Sequence, residues 1–300
     1  MWYNRGMRTS KEIRALARKT LFHTRCGARA MSAMLLLGLA CSLALLLLQQ
    51  AFLTFGIRTL DYLALTGDAP LAAYSFDVLF AAAVATVFYV FIQAVFGGIQ
   101  NFGWSLAALR GMRQAETGLT RAAFSGFRVP FGMFAMMFAY TIRLLVAALP
   151  LMLVYGIFFL AFYFLRDFLL AHTLWLGAGV FLLFIAFLVA TIPVFYVIYR
   201  YRFVWYLKVD HPDWSATKCF RESARRLDGY KWRAFYLDCS YWKAFLLLTA
   251  LLVAGLIPVL PELLRAMLVG IVFPVAAFFV SVYYMFGQAQ FYLEVPPRAA

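Results

Sequence analysis

Negative charge is scarce in this chain. Its 300 residues include 13 Asp and Glu against 27 Lys and Arg, for a formal net charge of +14. Charged residues make up 13% of the whole, well below the roughly 25% of an ordinary soluble domain. Histidine is scarcer still: His23, His172 and His211 fall in separate segments, so a shared metal site is not expected. Four cysteines, Cys26, Cys41, Cys219 and Cys239, form no CxxC pair, and no disulfide is expected. HExxH, GxSxG and GxxxxGK[ST] are all absent, which removes the signatures of zinc proteases, serine hydrolases and P-loop enzymes. Asp61, Asp68, Asp77, Asp167 and Glu262 fall outside the apolar runs, which argues against a carboxylate proton relay. A cleavable signal peptide of the usual form is not expected either. The cationic region reaches Arg29, and the apolar run behind it exceeds an h-region of about 7–15 residues. No enzyme, cofactor or metal is expected from these absences.

Apolar residues fill the space. The chain is 65% hydrophobic, with 32 Phe and 17 Tyr. Such a composition predicts an all-α fold, a polytopic transmembrane helical bundle of about six spans with cytoplasmic amphipathic helices. The spans are expected at about 31–56, 78–102, 144–165, 173–199, 241–260 and 266–286, in one integral membrane domain. Residues 1–29 are expected to form a cytoplasmic basic amphipathic helix, and 200–240 a cytoplasmic helical segment. A loop is expected over 58–77 with a turn at Gly67–Pro70, and a short turn at Pro261–Arg265.

Positive charge sets the threading. Of the 27 Lys and Arg, 23 fall on the side of the N-terminus, and only Arg58, Arg166 and Arg265 on the other. Both termini are therefore expected to be cytoplasmic. The remaining cation, Arg143, sits between an aromatic stripe (Phe124, Phe127, Phe131, Phe134 and Phe138) and the uncharged run Leu144–Leu165. One reading makes Phe131–Arg143 an interfacial lead-in with Arg143 near the interface. The other makes Phe131–Leu165 a single long helix with Arg143 inside the membrane, where a cation is a site hypothesis. Gln93, inside the second span, is the other candidate intramembrane site residue, beside Gly97-Gly98, where small residues favour close helix approach.

Two stretches suit an anionic leaflet. Thr9-Ser10-Lys11-Glu12 has the form of a capping box. Ile13, Leu16, Ala17, Thr20 and Leu21 then recur at helical spacing, with Lys11, Arg14, Arg18 and Lys19 at other positions. Packing of this helix on the protein's own loops is the alternative. After Pro212, either Asp213 or Ser215 can cap a second helix. There Ala216, Cys219, Phe220, Ser223, Ala224 and Leu227 share a face, flanked by Lys218, Arg221, Arg225 and Arg226. Asp238, at the start of the fifth span, needs a partner, and Arg200 and Arg202 are the candidates.

The segment 192–242 also carries a family signature. Ile192-Pro193, His211-Pro212, Ser223, Gly229-Tyr230-Lys231-Trp232 and Leu237-Asp238-Cys239-Ser240-Tyr241 resemble domain-of-unknown-function family 975 of bacterial membrane proteins. The Lys11–Leu21 helix, Phe124-Ser125-Gly126-Phe127 and Phe291-Tyr292 agree with it. His211 and Tyr241 depart from the usual pattern. This resemblance implies the bacterial cytoplasmic (inner) membrane as location and supplies no activity. The expected role is non-catalytic, a membrane protein that assembles with itself or a partner. The alternative is a transporter or export accessory for a lipid, peptide or small amphiphile. Anionic membrane lipids are expected partners, and nucleic acid is not.

Overall fold

A computed structural model describes the backbone of residues 8–65, 71–115, 118–171, 173–256 and 261–296. Within these helices, side chains at 52–53, 55–65, 71–83, 85–86, 165–171, 173–178, 180 and 256 lie outside the described set. The turn expected at Gly67–Pro70, and the side chains of Arg58 and Arg166, lie outside it too.

Most of the described residues are helical, and none of them is in a strand. In chain order the helices are α1 (Ser10–His23), α2 (Arg25–Leu65), α3 (Leu71–Met112), α4 (Leu119–Ala123), α5 (Pro130–Ala171), α6 (Thr173–Arg200), α7 (Val204–Asp210), α8 (Ala216–Leu227), α9 (Lys231–Cys239), α10 (Trp242–Leu256), α11 (Glu262–Met267) and α12 (Phe273–Glu294). A 3₁₀ turn, Phe124–Arg128, leads from α4 toward α5.

Local chemistry sets several of these boundaries. The capping box forms: Thr9 N donates to Glu12 Oε2 at 2.7 Å, and Glu12 N donates to Thr9 Oγ1 at 3.3 Å. Thr24 ends α1 in extended backbone, and its hydroxyl accepts from Gly27 N at 3.0 Å to start α2. Of the two residues suggested to cap α8, Ser215 does so, accepting from Lys218 N at 3.3 Å. Gly229 stands just past the end of α8 at φ +82°, a conformation that side chains with a Cβ rarely adopt.

Three helices outrun a bilayer. α2, α3 and α5 have 41, 42 and 42 residues, about 60 Å each at 1.5 Å per residue, twice the hydrocarbon thickness. The break expected at Arg143 does not occur, because α5 runs unbroken from Pro130. Arg143 Nη1 donates to Ala139 O one turn earlier at 2.7 Å, and its guanidinium lies over the Phe220 ring at 4.1 Å. With those contacts the cation does not interrupt the helix. Two expected loops also shrink: α2 continues past position 58 to Leu65, and Glu262–Arg265 is helical. Pro274, on the first turn of α12, cannot donate to the carbonyl four residues back, and a π turn, Leu268–Val272, sits there.

Among the described residues, four segments are long and apolar enough to cross a membrane: Arg25–Ala51, Pro130–Phe164, Phe181–Asp210 and Glu262–Glu294. A fifth results if Lys231–Cys239 and Trp242–Gly255, bent by 49°, form one broken span. The described residues of α10, Trp242–Leu256, number 15 and rise about 22 Å. The span expected at 78–102 falls on α3, part of whose side chains lie outside the described set.

The packed core sits at one end of the long helices. Ile13, Ala17 and Leu21 of α1 join Ala30, Met34 and Leu37 of α2, Ile99 and Leu106–Leu109 of α3, Phe203, Tyr206 and Leu207 about α7, and Phe286, Phe291 and Tyr292 of α12. Burial of each large side chain contributes about 1.5–3 kcal/mol. Gly98 lets α3 meet α5, since a Cβ there would lie 2.6 Å from the Met133 carbonyl oxygen. Away from this end the helices present Leu43, Leu47, Val87, Leu153, Phe159, Phe181, Leu182 and Leu246 outward.

Candidate anion-binding cleft and the ion-pair network beside it

The end of α6 is fixed by a serine from α8. Ser223 is fully buried; its hydroxyl accepts from Phe203 N and donates to Arg200 O, both at 3.2 Å. That contact turns the chain between α6 and α7 and aims Arg200 and Arg202 to different places.

Arg202 goes inward. Its guanidinium pairs with Asp238 of α9 and with the Gln288 Oε1 of α12, donates to Tyr284 OH at 2.6 Å, and reaches Ala234 O at 3.3 Å. Asp238 accepts also from Tyr199 OH and Tyr284 OH, both at 2.9 Å, and from Gln288 Nε2 at 3.2 Å. The Arg202 side chain is 7% exposed and that of Asp238 21%. Each guanidinium nitrogen of Arg202 and each carboxylate oxygen of Asp238 thus has a partner, the condition under which a buried ion pair is tolerated. Of the two cations expected near Asp238, Arg202 is the partner. Arg200 instead lies over the rings of Tyr196 and Tyr201, at 5.8 and 5.6 Å. A pocket of about 180 Å³ beside Arg202 is lined also by Asn101, Ser105, Tyr284 and Gln288.

A second ion pair escaped the sequence reading. Arg113, just past α3, holds Asp210 of α7 in a fork at 2.8 and 2.9 Å, and Tyr292 OH donates to the same carboxylate at 2.8 Å. The available signal was the position of Asp210. A carboxylate on the last turn of a helix opposes the helix dipole and calls for a cation. Gln288 and Tyr199 were likewise not singled out.

Arg200 opens into a cleft of about 560 Å³ between α5, α6, α8 and α9. Arg143 enters it from α5, Arg221 and Arg225 from α8, and Lys231 from α9. Tyr201 lines it too, with the Arg143 guanidinium 5.5 Å from its centroid. Asp228 is the one carboxylate among the lining residues; it lies 3.8 Å from Lys231. Arg225 pairs with Glu222 at 3.0 Å. Arg143, Arg200 and Arg221 have no carboxylate within ion-pair distance among the described residues. Next to the cleft is an apolar groove of about 490 Å³ lined by Ile192, Phe195, Tyr199, Trp232 and Phe235. Tyr196 and Lys231 line both.

The remaining candidate residues divide. Lys11, Arg18 and Lys19 are exposed on α1, beside Arg14 and Tyr283, around a depression of about 580 Å³. The buried face of α1 packs on α2 and α12, so the apolar side is covered by the protein itself. α8 likewise buries Cys219, Phe220, Ser223 and Leu227. Arg226 turns inward, donating to Val295 O at 2.6 Å and Tyr292 O at 3.2 Å, which ties down the end of α12. Lys218 lies over Trp214 at 4.4 Å. Gln93 is exposed and donates to Tyr89 OH on its own helix at 2.6 Å. Arg143 does lie on one long helix, level with Tyr201 beyond the end of α6.

No group of three or more His, Cys, Asp or Glu side chains able to hold a metal occurs among the described residues. No curated protein and no solved structure matches the chain. One family model does, the protein of unknown function DUF975, over residues 7–299. With nearly the whole length matched, the chain belongs to the DUF975 family.

Proposed function

We propose a non-catalytic multi-pass protein of the bacterial cytoplasmic membrane, with both termini and the packed basic end on the cytoplasmic side. There it engages anionic lipid and holds the long apolar helices for assembly with a second copy or another membrane protein. One observation carries this reading. The cations of α1 and of the α5–α9 cleft lie at the packed end of helices whose most apolar windows are only 0–22% buried by the chain itself. Apolar surface of that extent needs lipid or another chain to cover it. Reporter fusions test the threading. Fusions after Arg29, Arg113 and Arg225 read cytoplasmic, and fusions at Gly67 and Arg265 read external. A cytoplasmic reading at Gly67 overturns the arrangement.

A second reading, an accessory for transport or export of a lipid, peptide or small amphiphile, draws on the small pocket beside Arg202, where Asn101, Ser105 and Gln288 stand among mainly apolar and aromatic side chains. Movement of labelled lipid between leaflets of reconstituted vesicles, dependent on the protein, would favour it over assembly.

A further inference from the structure

We infer that the cleft between α5, α6, α8 and α9 binds the phosphate-bearing headgroup of an anionic phospholipid, with an acyl chain in the adjoining groove. This rests on the proposed seating of the basic end at an anionic leaflet and names the site of binding.

Like charges from four separate helices converge here. Arg143, Arg200, Arg221, Arg225 and Lys231 share one cleft, and Asp228 is its one lining carboxylate. Folding brings these cations together against their mutual repulsion, and a bound anion relieves it. Two of them are held in place. The guanidinium groups of Arg143 and Arg200 lie 5.5 and 5.6 Å from the centroid of the same Tyr201 ring, and Arg143 also lies over Phe220 at 4.1 Å. Stacking fixes the planar fork while leaving N–H groups for an oxyanion, the geometry that suits phosphate.

The groove selects the rest of the ligand. It is mainly apolar and aromatic, and Tyr196 and Lys231 join it to the cleft, with Lys231 Nζ 4.6 Å from the Tyr196 ring centroid. Free phosphate or a soluble phosphorylated metabolite uses the cleft alone. A phospholipid uses both, charge at one end and hydrocarbon at the other. The depression on α1 is also cationic, but beside His23 it has only Tyr283 and Ala15 to offer a hydrocarbon chain.

The test uses the full chain in an uncharged detergent, titrated with short-chain phosphatidylglycerol or phosphatidylcholine and read by native mass spectrometry. One phosphatidylglycerol binds in preference to phosphatidylcholine. R143Q/R200Q/R221Q weakens phosphatidylglycerol binding on the order of tenfold or more and leaves phosphatidylcholine unchanged. Arg221→Glu, at an exposed position, weakens it too, which guards against misfolding of the triple variant. W232A/F235A, also exposed, weakens lipid binding but not retention of inorganic phosphate. If inorganic phosphate displaces the lipid fully and W232A/F235A has no effect, the site serves a free phosphate and the inference is overturned. If the cleft variants bind normally while K11Q/R18Q/K19Q abolishes binding, the inference fails and the leaflet reading stands. If the parent protein shows no preference for phosphatidylglycerol, both fall.

Discussion

The two ends of the long helices solve opposite problems. At the packed end, α1, α7, α8, α9 and the last turns of α12 fill the spaces between α2, α3 and α5. Phe203, Tyr241, Phe286, Phe291 and Tyr292 are at most 1% exposed there. Toward the far end α5 and α6 carry Leu153, Phe159, Phe164 and Leu182 at 64–75% exposure. Composition does not separate the ends, since both are apolar. Partners do. At the packed end apolar side chains meet one another, the buried Arg202 meets Asp238, and the partly buried Asp210 meets Arg113. At the far end the chain supplies few partners, so stability there depends on what surrounds it. Mutational cost should therefore follow position along the helix rather than residue type.

The largest contrast is between Asp238 and Phe159. Asp238→Ala leaves Arg202 buried without its carboxylate and is expected to cost about 3–5 kcal/mol. Phe159→Ala removes a side chain 71% exposed, and is expected to stay within about 0.5 kcal/mol of the parent. Asp228→Ala behaves like Phe159→Ala, because the Asp228 side chain is 64% exposed. Thermal unfolding in one detergent measures all three. An Asp238→Ala protein as stable as its parent breaks the comparison and moves Asp238 into a functional role.

Two glycines sharpen it, because the sign of the effect should reverse. Gly98→Ala drives a methyl into the Met133 carbonyl oxygen, 2.6 Å from the ideal Cβ, and backbone cannot swing aside. Overpacking of this kind costs about 1–3 kcal/mol. Gly156 lies on α5 with nothing within 4 Å of its Cβ position. Gly156→Ala gains up to about 1 kcal/mol from helix propensity. If both substitutions destabilise equally, the far end is packed against something within the protein after all.

Much of this was legible in the sequence, for a physical reason. Helix starts depend on neighbours three residues apart, so Thr9 with Glu12 could be read directly, whereas the start of α8 was narrowed only to Asp213 or Ser215. The need of Asp238 for a cation follows from its setting, and the partner came from the adjacent chain exit. Of the two readings of Arg143, the single long helix is the one that forms; the sequence left both open because a charge in an apolar run looks like an ending. The partner of Arg143 there is the ring of Phe220, 77 positions away, which no local pattern reports. The cleft was invisible for the same reason: its cations come from positions 143, 200, 221, 225 and 231, and only tertiary packing converges them.

The smallest expected effect tests the margin of the packed end. The bond between the Thr9 backbone amide and Glu12, helped by the Thr9 hydroxyl, holds the Glu12 carboxyl below its ordinary range. A carboxylate whose folded pKa is depressed stabilises the fold above its unfolded value, about 4.3 for Glu, and loses that contribution as pH falls through the lower folded value. The N-terminal turn of α1 should therefore loosen in that acidic window, seen as faster amide hydrogen exchange at residues 10–13, while exchange in α7 and α12 stays level. Glu12→Gln cannot ionise yet still offers an oxygen to the Thr9 amide, so its exchange profile should lose the pH step. The buried face of α1, Ile13, Ala17 and Leu21, is anchored independently of the cap, which confines the effect to one turn. A pH step that spreads to α7 or α12 would mean that the cap and the core open as one unit, and that the packed end has no soft margin.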